Sequence, residues 1–197
     1  MSGSFFTDPI IFLIQTLFGL YILAVLLRFL LQQVRADFYN PLSQFLVKAT
    51  NPPLKVMRRI IPGLGGIDLA SLVLAWLLQS IEILLVILVA GDAVNLLAPL
   101  LWAIPELLNL VINIFFFAVI IQAVLSWFAT GGHNPAIGLL YSLTAPVLRP
   151  AQRVLPPMRG FDLSPILVLI GLVLLKMLLV KPLRDLVDSP YAVTAFL

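Results

Sequence analysis

Cysteine is absent from this 197-residue chain, so no disulfide, thiol nucleophile or thiolate metal site is available to it. Histidine occurs once, as His133, which excludes a histidine-rich metal centre. Charge is scarce: charged residues make up 11% of the chain and hydrophobic ones 61%. An average soluble domain is about a quarter charged. A chain of this size cannot cover so much apolar surface with its own polar groups, and a lipid bilayer removes the need. A basic leader region is missing too. Residues 1–9 hold Asp8 but no Lys or Arg, so a cleavable signal peptide is not expected. There is no Ser–His–Asp set, no zinc-ligand spacing and no P-loop. The expectation is a protein that is not an enzyme and uses no metal or cofactor.

What the chain does contain is a repeat. Residues 40–69 recur as residues 134–163, without a gap, at an offset of 94. Asn40, Pro41, Thr50, Pro52, Arg59, Pro62, Gly66 and Asp68 match Asn134, Pro135, Thr144, Pro146, Arg153, Pro156, Gly160 and Asp162. Apolar runs at 10–31, 69–90, 107–128 and 163–180 flank the two copies. At ~1.5 Å per residue a run of 22 reaches ~33 Å, enough for a hydrocarbon core of ~30 Å. The fold class is therefore an all-α integral membrane protein. Its four transmembrane helices form two parallel repeats, each helix, amphipathic connector, helix. The first repeat is 1–91, with its connector at 35–66. A linker follows at 92–106. The second repeat is 107–182, with its connector at 130–160, and 183–197 is a tail.

Within this frame, Asp8-Pro9 predicts the first helix start, and Arg28 near the far end is expected to snorkel to headgroups. Asn40-Pro41 reads as an N-cap followed by proline at N1. Leu42, Phe45, Leu46 and Ala49 then form an apolar stripe at helical spacing, repeated by Ala136, Leu139, Leu140 and Leu143. Pro52-Pro53 predicts the end of that helix, with a second short segment over 54–61. Asp68 and Asp162 read as caps of the spans they precede. Segment 96–104 predicts an interfacial stretch with Trp102 at headgroup level. Lys181-Pro182 predicts the end of the fourth span.

Both connectors lie on one face, because each repeat crosses twice. They hold Arg35, Lys48, Lys55, Arg58, Arg59, Arg149, Arg153 and Arg159, eight of the twelve basic residues. The positive-inside rule puts the connectors in the cytoplasm and both termini outside. Lys55, Arg58, Arg59, Arg149, Arg153 and Arg159 are candidates for contact with anionic headgroups, each worth ~1 kcal/mol. They read equally well as topology signals. Nucleic acid is not an expected partner, since the charges are few and lack stacking aromatics.

Glu82 and Lys176 are also 94 apart. Each lies ~20 Å into its span, where an ionisable group costs roughly 2.5–3.5 kcal/mol. Three readings stand side by side: an ion or proton pathway, an ion-pair clasp between the repeats, and two side chains snorkelling separately. Gln15 and Asn109 are equivalent positions, as are Arg28 and Gln122. They read as hydrogen-bonding glue between helices.

The series Asn-Pro, Thr-x-Pro, basic residue and proline, Gly-x-Asp-Leu resembles the YggT family. The second copy, with Thr144, Pro146, Arg149, Pro150, Arg153, Pro156 and Asp162 to Pro165, is the more similar to its signature. The first copy departs from it, with Ala70-Ser71 for Ser164-Pro165 and Val56 for Pro150. The resemblance implies a small multi-pass protein of the bacterial inner (plasma) membrane, with relatives in chloroplast membranes. It also implies a setting in osmotic stress and potassium uptake, and among relatives in division, nucleoid distribution and assembly of membrane cytochromes. It brings no catalytic residues. Together these readings give a non-enzymatic scaffold or accessory factor in osmotic or envelope physiology. Its cytoplasmic connectors would bind lipid, a membrane-protein partner or a second copy. The competing reading is an oligomeric potassium or proton transporter or channel component using Glu82 and Lys176.

Overall fold

The structure is a computed structural model that describes residues 4–63, 65–93, 95–128, 134–155 and 162–189, with residues 4, 5, 127 and 128 by backbone only. His133, Pro156, Arg159 and Gly160 lie outside the described residues, as does the glycine pair at 131–132. The described residues form helices and no β-strand. They are α1 (Ser4–Gln33), α2 (Pro41–Met57), α3 (Leu69–Ala90), α4 (Ala98–Phe128), α5 (Pro135–Val154), α6 (Ser164–Leu175), a π-helical turn (Lys176–Val180) and α7 (Lys181–Leu186). Among the described residues, four stretches are long and apolar enough to cross a membrane: Phe6–Gln33, Leu69–Ala90, Ala98–Ser126 and Ser164–Leu186. The protein is a multi-pass membrane protein with two tandem helix–connector–helix units.

The spans pack in the order α1, α3, α4, α6, and α1 against α3 is the most extensive contact. The surface helices α2 and α5 cross one end. α5 reaches back to α1 of the first repeat, where Leu139 and Leu143 join Ile22, Val25 and Leu26 in the main core. A second core holds Val119, Leu148, Val168 and Leu172 in the second repeat.

Four predicted boundaries move, each at a proline that the helix runs through. α1 starts before Pro9 and contains it, because a proline so near a helix end forfeits only one backbone bond. α2 continues through Pro52-Pro53 to Met57 as one helix. Pro53 has no N–H for the Ala49 carbonyl, and the Tyr21 hydroxyl of α1 donates to that oxygen instead, at 3.2 Å. α4 begins at Ala98, so most of the predicted interfacial segment is its first two turns. Pro99 stands in the first turn, where no N–H is needed. Pro105 leaves the Leu101 carbonyl unserved, and Trp76 Nε1 donates to the adjacent Leu100 carbonyl at 2.8 Å. The last span passes Pro182 and ends near Leu186. There the Lys181 N–H bonds to the Lys176 carbonyl five residues back, so a π turn absorbs the proline. The end of α3 needs no such device. Gly91, at φ 82°, closes it with bonds to the Ile87 and Leu88 carbonyls.

The apolar stripe of α2 is split: Leu42 and Phe45 face away from the bundle, whereas Leu46 packs partly buried against the main core. Ser43, Thr50 and Leu54 are buried, whereas Leu42 is 50% and Phe45 66% exposed. The second copy differs: Leu139, the counterpart of Phe45, is buried against α1. Contact between the repeats therefore uses the stripe of α5, including the position that Phe45 leaves outward on α2.

Candidate functional site

The polar side chains gather in two layers. The first joins each connector to its spans. Asn40 and Asn134 cap α2 and α5, their side-chain oxygens accepting from Leu42 N at 2.9 Å and Ala136 N at 3.0 Å, with Pro41 and Pro135 at the first helical positions. Asn40 Nδ2 also donates to the Pro135 carbonyl at 2.6 Å, a direct bond between repeats.

The expectation that Arg28 snorkels is overturned. Arg28 is 5% exposed and turns inward onto α2. It donates to the Thr50 hydroxyl at 2.8 Å, Asn51 Oδ1 at 3.2 Å and the Val47 carbonyl at 3.4 Å. Thr50 in turn donates to the Leu46 carbonyl at 2.7 Å, a back-bond that favours a bend. The second repeat builds the same join with a neutral partner. Gln122, the counterpart of Arg28, is hydrogen-bonded to the Thr144 hydroxyl. The repeated threonine is thus the contact point for the polar residue of the preceding span.

A second join follows in each repeat. Arg58 forms an ion pair with Asp68, which also accepts from the Ser71 hydroxyl at 2.7 Å. Asp68 stands at the N-cap position of α3, but its carboxylate serves those side chains and makes no capping bond. Burial pushes the Asp68 carboxyl up, but the hydrogen bonds from Arg58 and Ser71 outweigh it and hold the group below its ordinary value. In the second repeat Gln152 stands where Arg58 does, donating to Asp162 at 2.9 Å. Asp162 lies one residue before the α6 N-cap and accepts from Ser164 N at 2.8 Å. Its carboxyl is raised by desolvation and lowered more by Ser164 and Gln152, so it too ends below the usual range. Pro52 and Pro146 lie inside the surface helices, and Pro62 and Gly66 in the turn after α2. Gly66, at φ 86°, has a backbone that favours glycine. Lys55, Arg59, Arg149 and Arg153 are exposed, whereas the charge of Arg58 is tied to Asp68.

The second layer lies in the half of the bundle away from the connectors. Glu82 and Lys176 are not joined. Glu82 accepts from Gln79 at 3.0 Å, and Lys176 donates to Asn113 at 2.9 Å. Equal depth along equivalent helices does not bring them together, because α3 packs on α4 while α6 packs on α4 and α5. The ion pair here is one that the sequence reading missed. Arg184 grips both oxygens of Glu106, each at 2.7 Å. Trp102, predicted at headgroup level, donates to the Val187 carbonyl at 2.9 Å and fixes the end of the same helix. Asn113, Lys176 and Arg184 line a half-open cavity of about 500 Å³ between α4 and the π turn. Asn109 faces it too, with Oδ1 buried and unbonded, so it does not act as glue through that atom. A sequence signal for the Glu106–Arg184 pair did exist: an acid and a base at the matching ends of the third and fourth spans.

Comparison with known proteins agrees with the duplicated geometry. The CCB3/YggT family model matches twice, over residues 7–89 and 101–183. An uncharacterized protein of Pseudomonas aeruginosa is 48% identical over 189 residues, covering 95% of this chain and 96% of that one. An uncharacterized protein of Vibrio alginolyticus is 42% identical over 163 residues, 82% of this chain and 88% of its own length. The uncharacterized protein YggT of Escherichia coli K12 is 36% identical over 172 residues, 86% and 88% of the two chains. No solved structure matches. With both repeats matched and near full-length relatives on either side, the chain belongs to the CCB3/YggT family.

Proposed function

We propose that this protein is a non-enzymatic scaffold or accessory factor of the bacterial inner membrane. Its connectors form a platform on the cytoplasmic face for anionic lipid and a membrane-protein partner or second copy. The observation that carries this reading is the fixed posture of α2. Its protein side is held by Arg28, Tyr21 and Ser43, and its other side presents Leu42, Phe45 and Val56. A helix restrained in that way supplies shape rather than chemistry. Exposed Lys55, Arg59, Arg149 and Arg153 suit a negatively charged bilayer surface, at ~1 kcal/mol each. Osmotic or envelope physiology is the setting the family resemblance suggests.

The test places a photo-reactive residue at Phe45 in inner-membrane vesicles and measures potassium and proton flux in liposomes. The scaffold reading expects cross-links to lipid or to a reproducible membrane protein, with no flux. A flux lost in Glu82→Gln overturns it in favour of an oligomeric transporter. That second reading has one observation behind it: Glu82, Glu106, Lys176 and Arg184 all lie in the half of the bundle opposite the connectors. Glu82 and Lys176 would then act through separate partners rather than as a pair. Reporter fusions at both ends test orientation, and a cytoplasmic C-terminus rejects it.

A further inference from the structure

The two connector joins are alike in geometry and opposite in charge. In the first repeat the residues that reach the connector threonine and the span-opening aspartate are Arg28 and Arg58. In the second they are Gln122 and Gln152, at the same offset. Asp68 and Asp162 are retained in both. The first repeat therefore has two guanidiniums for one carboxylate, of which only Arg58 pairs with it, while the second has a carboxylate and no cation at these positions.

That excess charge is enclosed. Arg28 is 5% exposed, and each of its hydrogen-bond partners is neutral: Val47, Thr50 and Asn51. Asp68 is already engaged by Arg58 and Ser71. A buried guanidinium without a carboxylate of its own is costly unless an anion answers it. Arg28, Arg58 and Asp68 line one open cavity of about 600 Å³, with Gln32 and Gly66 also on its wall. It sits at the connector end of the bundle, where phosphate groups of a bilayer lie.

We infer that the cavity between α1, α2 and the 58–68 turn is a phosphate-binding site. It is built by Arg28 and Arg58 and has no counterpart at Gln122 and Gln152. Arg28 supplies fixed charge from the wall. Arg58, more exposed, divides its donors between Asp68 and the ligand. Guanidinium donors suit phosphate oxygens because charge-assisted bonds to them are strong and directional. The phosphate belongs either to an anionic lipid headgroup or to a free ion, and the two are separable by experiment. The inference rests on the platform reading for its place at the membrane surface, and its test is independent of the cross-link at Phe45.

The full-length protein in a neutral detergent is given phosphatidylglycerol, diacylglycerol or inorganic phosphate. Thermal stability and retained lipid are then read by melting and native mass spectrometry. The expected result is retention of phosphatidylglycerol and not of diacylglycerol. Retention should be weakened about tenfold or more in Arg28→Gln and Arg58→Gln, the worth of one charge-assisted bond. Stabilisation by inorganic phosphate as well assigns the site to free phosphate. Stabilisation by phosphatidylglycerol alone assigns it to lipid. Equal response to diacylglycerol, no response to either phosphate, or unchanged retention in the variants overturns the site. Arg58 is at the surface, so Arg58→Gln keeps the test decisive if Arg28→Gln does not fold. Loss of the Phe45 cross-link with phosphate retention intact removes the platform reading and leaves the site standing.

Discussion

The Tyr21 hydroxyl donates to the carbonyl of Ala49, the oxygen that Pro53 is unable to serve. One side chain of a span thus completes the backbone of the surface helix that follows. A backbone acceptor at a membrane boundary is expensive to leave open, so the bond couples the orientation of α2 to that of α1. Tyr21→Phe should therefore cost ~1 kcal/mol of stability in detergent. In a Pro53→Ala background the alanine N–H can serve Ala49, and the penalty should shrink. A double-mutant cycle on melting temperature measures the coupling. Additive effects would show that tyrosine and proline are unrelated.

The Asp68 carboxyl sits below its ordinary value of 3.8 through Arg58 and Ser71, despite burial. The folded state then binds fewer protons than the unfolded state in the interval between the two values. The stabilisation is complete above the unfolded value and is lost as pH falls through the folded one. Melting of the wild type from pH 7 downwards should steepen its loss below about pH 4. Asp68→Asn should lower stability at pH 7 and remove that part of the acid slope. An unchanged slope would mean that Asp68 contributes nothing to it.

Arg184 and Glu106 form a two-bond ion pair with Glu106 almost fully buried. Removing one partner strands a charge, so Arg184→Met should destabilise by about 3–5 kcal/mol. The double variant Glu106→Leu with Arg184→Met should recover most of that loss. The recovery, read as melting temperature in detergent, separates a stranded charge from simple loss of packing.

Glu82→Gln and Lys176→Met should be additive within about 0.5 kcal/mol, since the two side chains have different partners. Lys176→Met and Asn113→Ala should instead show coupling, because those two share a bond. Stability cycles on both pairs distinguish them. Coupling confined to Glu82 and Lys176 would contradict this arrangement.

The four spans are legible in the sequence because a run of some twenty apolar residues is a local property that lipid rewards directly. The doubled connector is legible because its offset never varies. What stays hidden has a common cause. Pro53 and Pro182 each announce a missing N–H, but not the device that compensates for it. The devices are Tyr21 and a π turn, and the first comes from another helix. The same holds for Arg28, which looks like a snorkelling residue until α2 lies across it. The register of 82 with 176 is visible in the sequence. The packing order that separates those residues is not.

Phe45 and Leu139 occupy equivalent positions and face different surroundings. Phe45 is 66% exposed on α2, whereas Leu139 is 7% exposed against α1. The chain has no cysteine, so single-cysteine variants report one position without background. On the platform reading, which puts its side of α2 against lipid, Phe45→Cys should react readily with a membrane-permeant maleimide and slowly with a large charged one. Leu139→Cys should resist both reagents in the folded protein and react only after denaturation. The opposite ranking would place the stripe of α5, rather than that of α2, on the lipid side. Equal reactivity with the charged reagent at Phe45 and at exposed Lys55→Cys would show that α2 stands clear of the membrane, and the platform would lose its support.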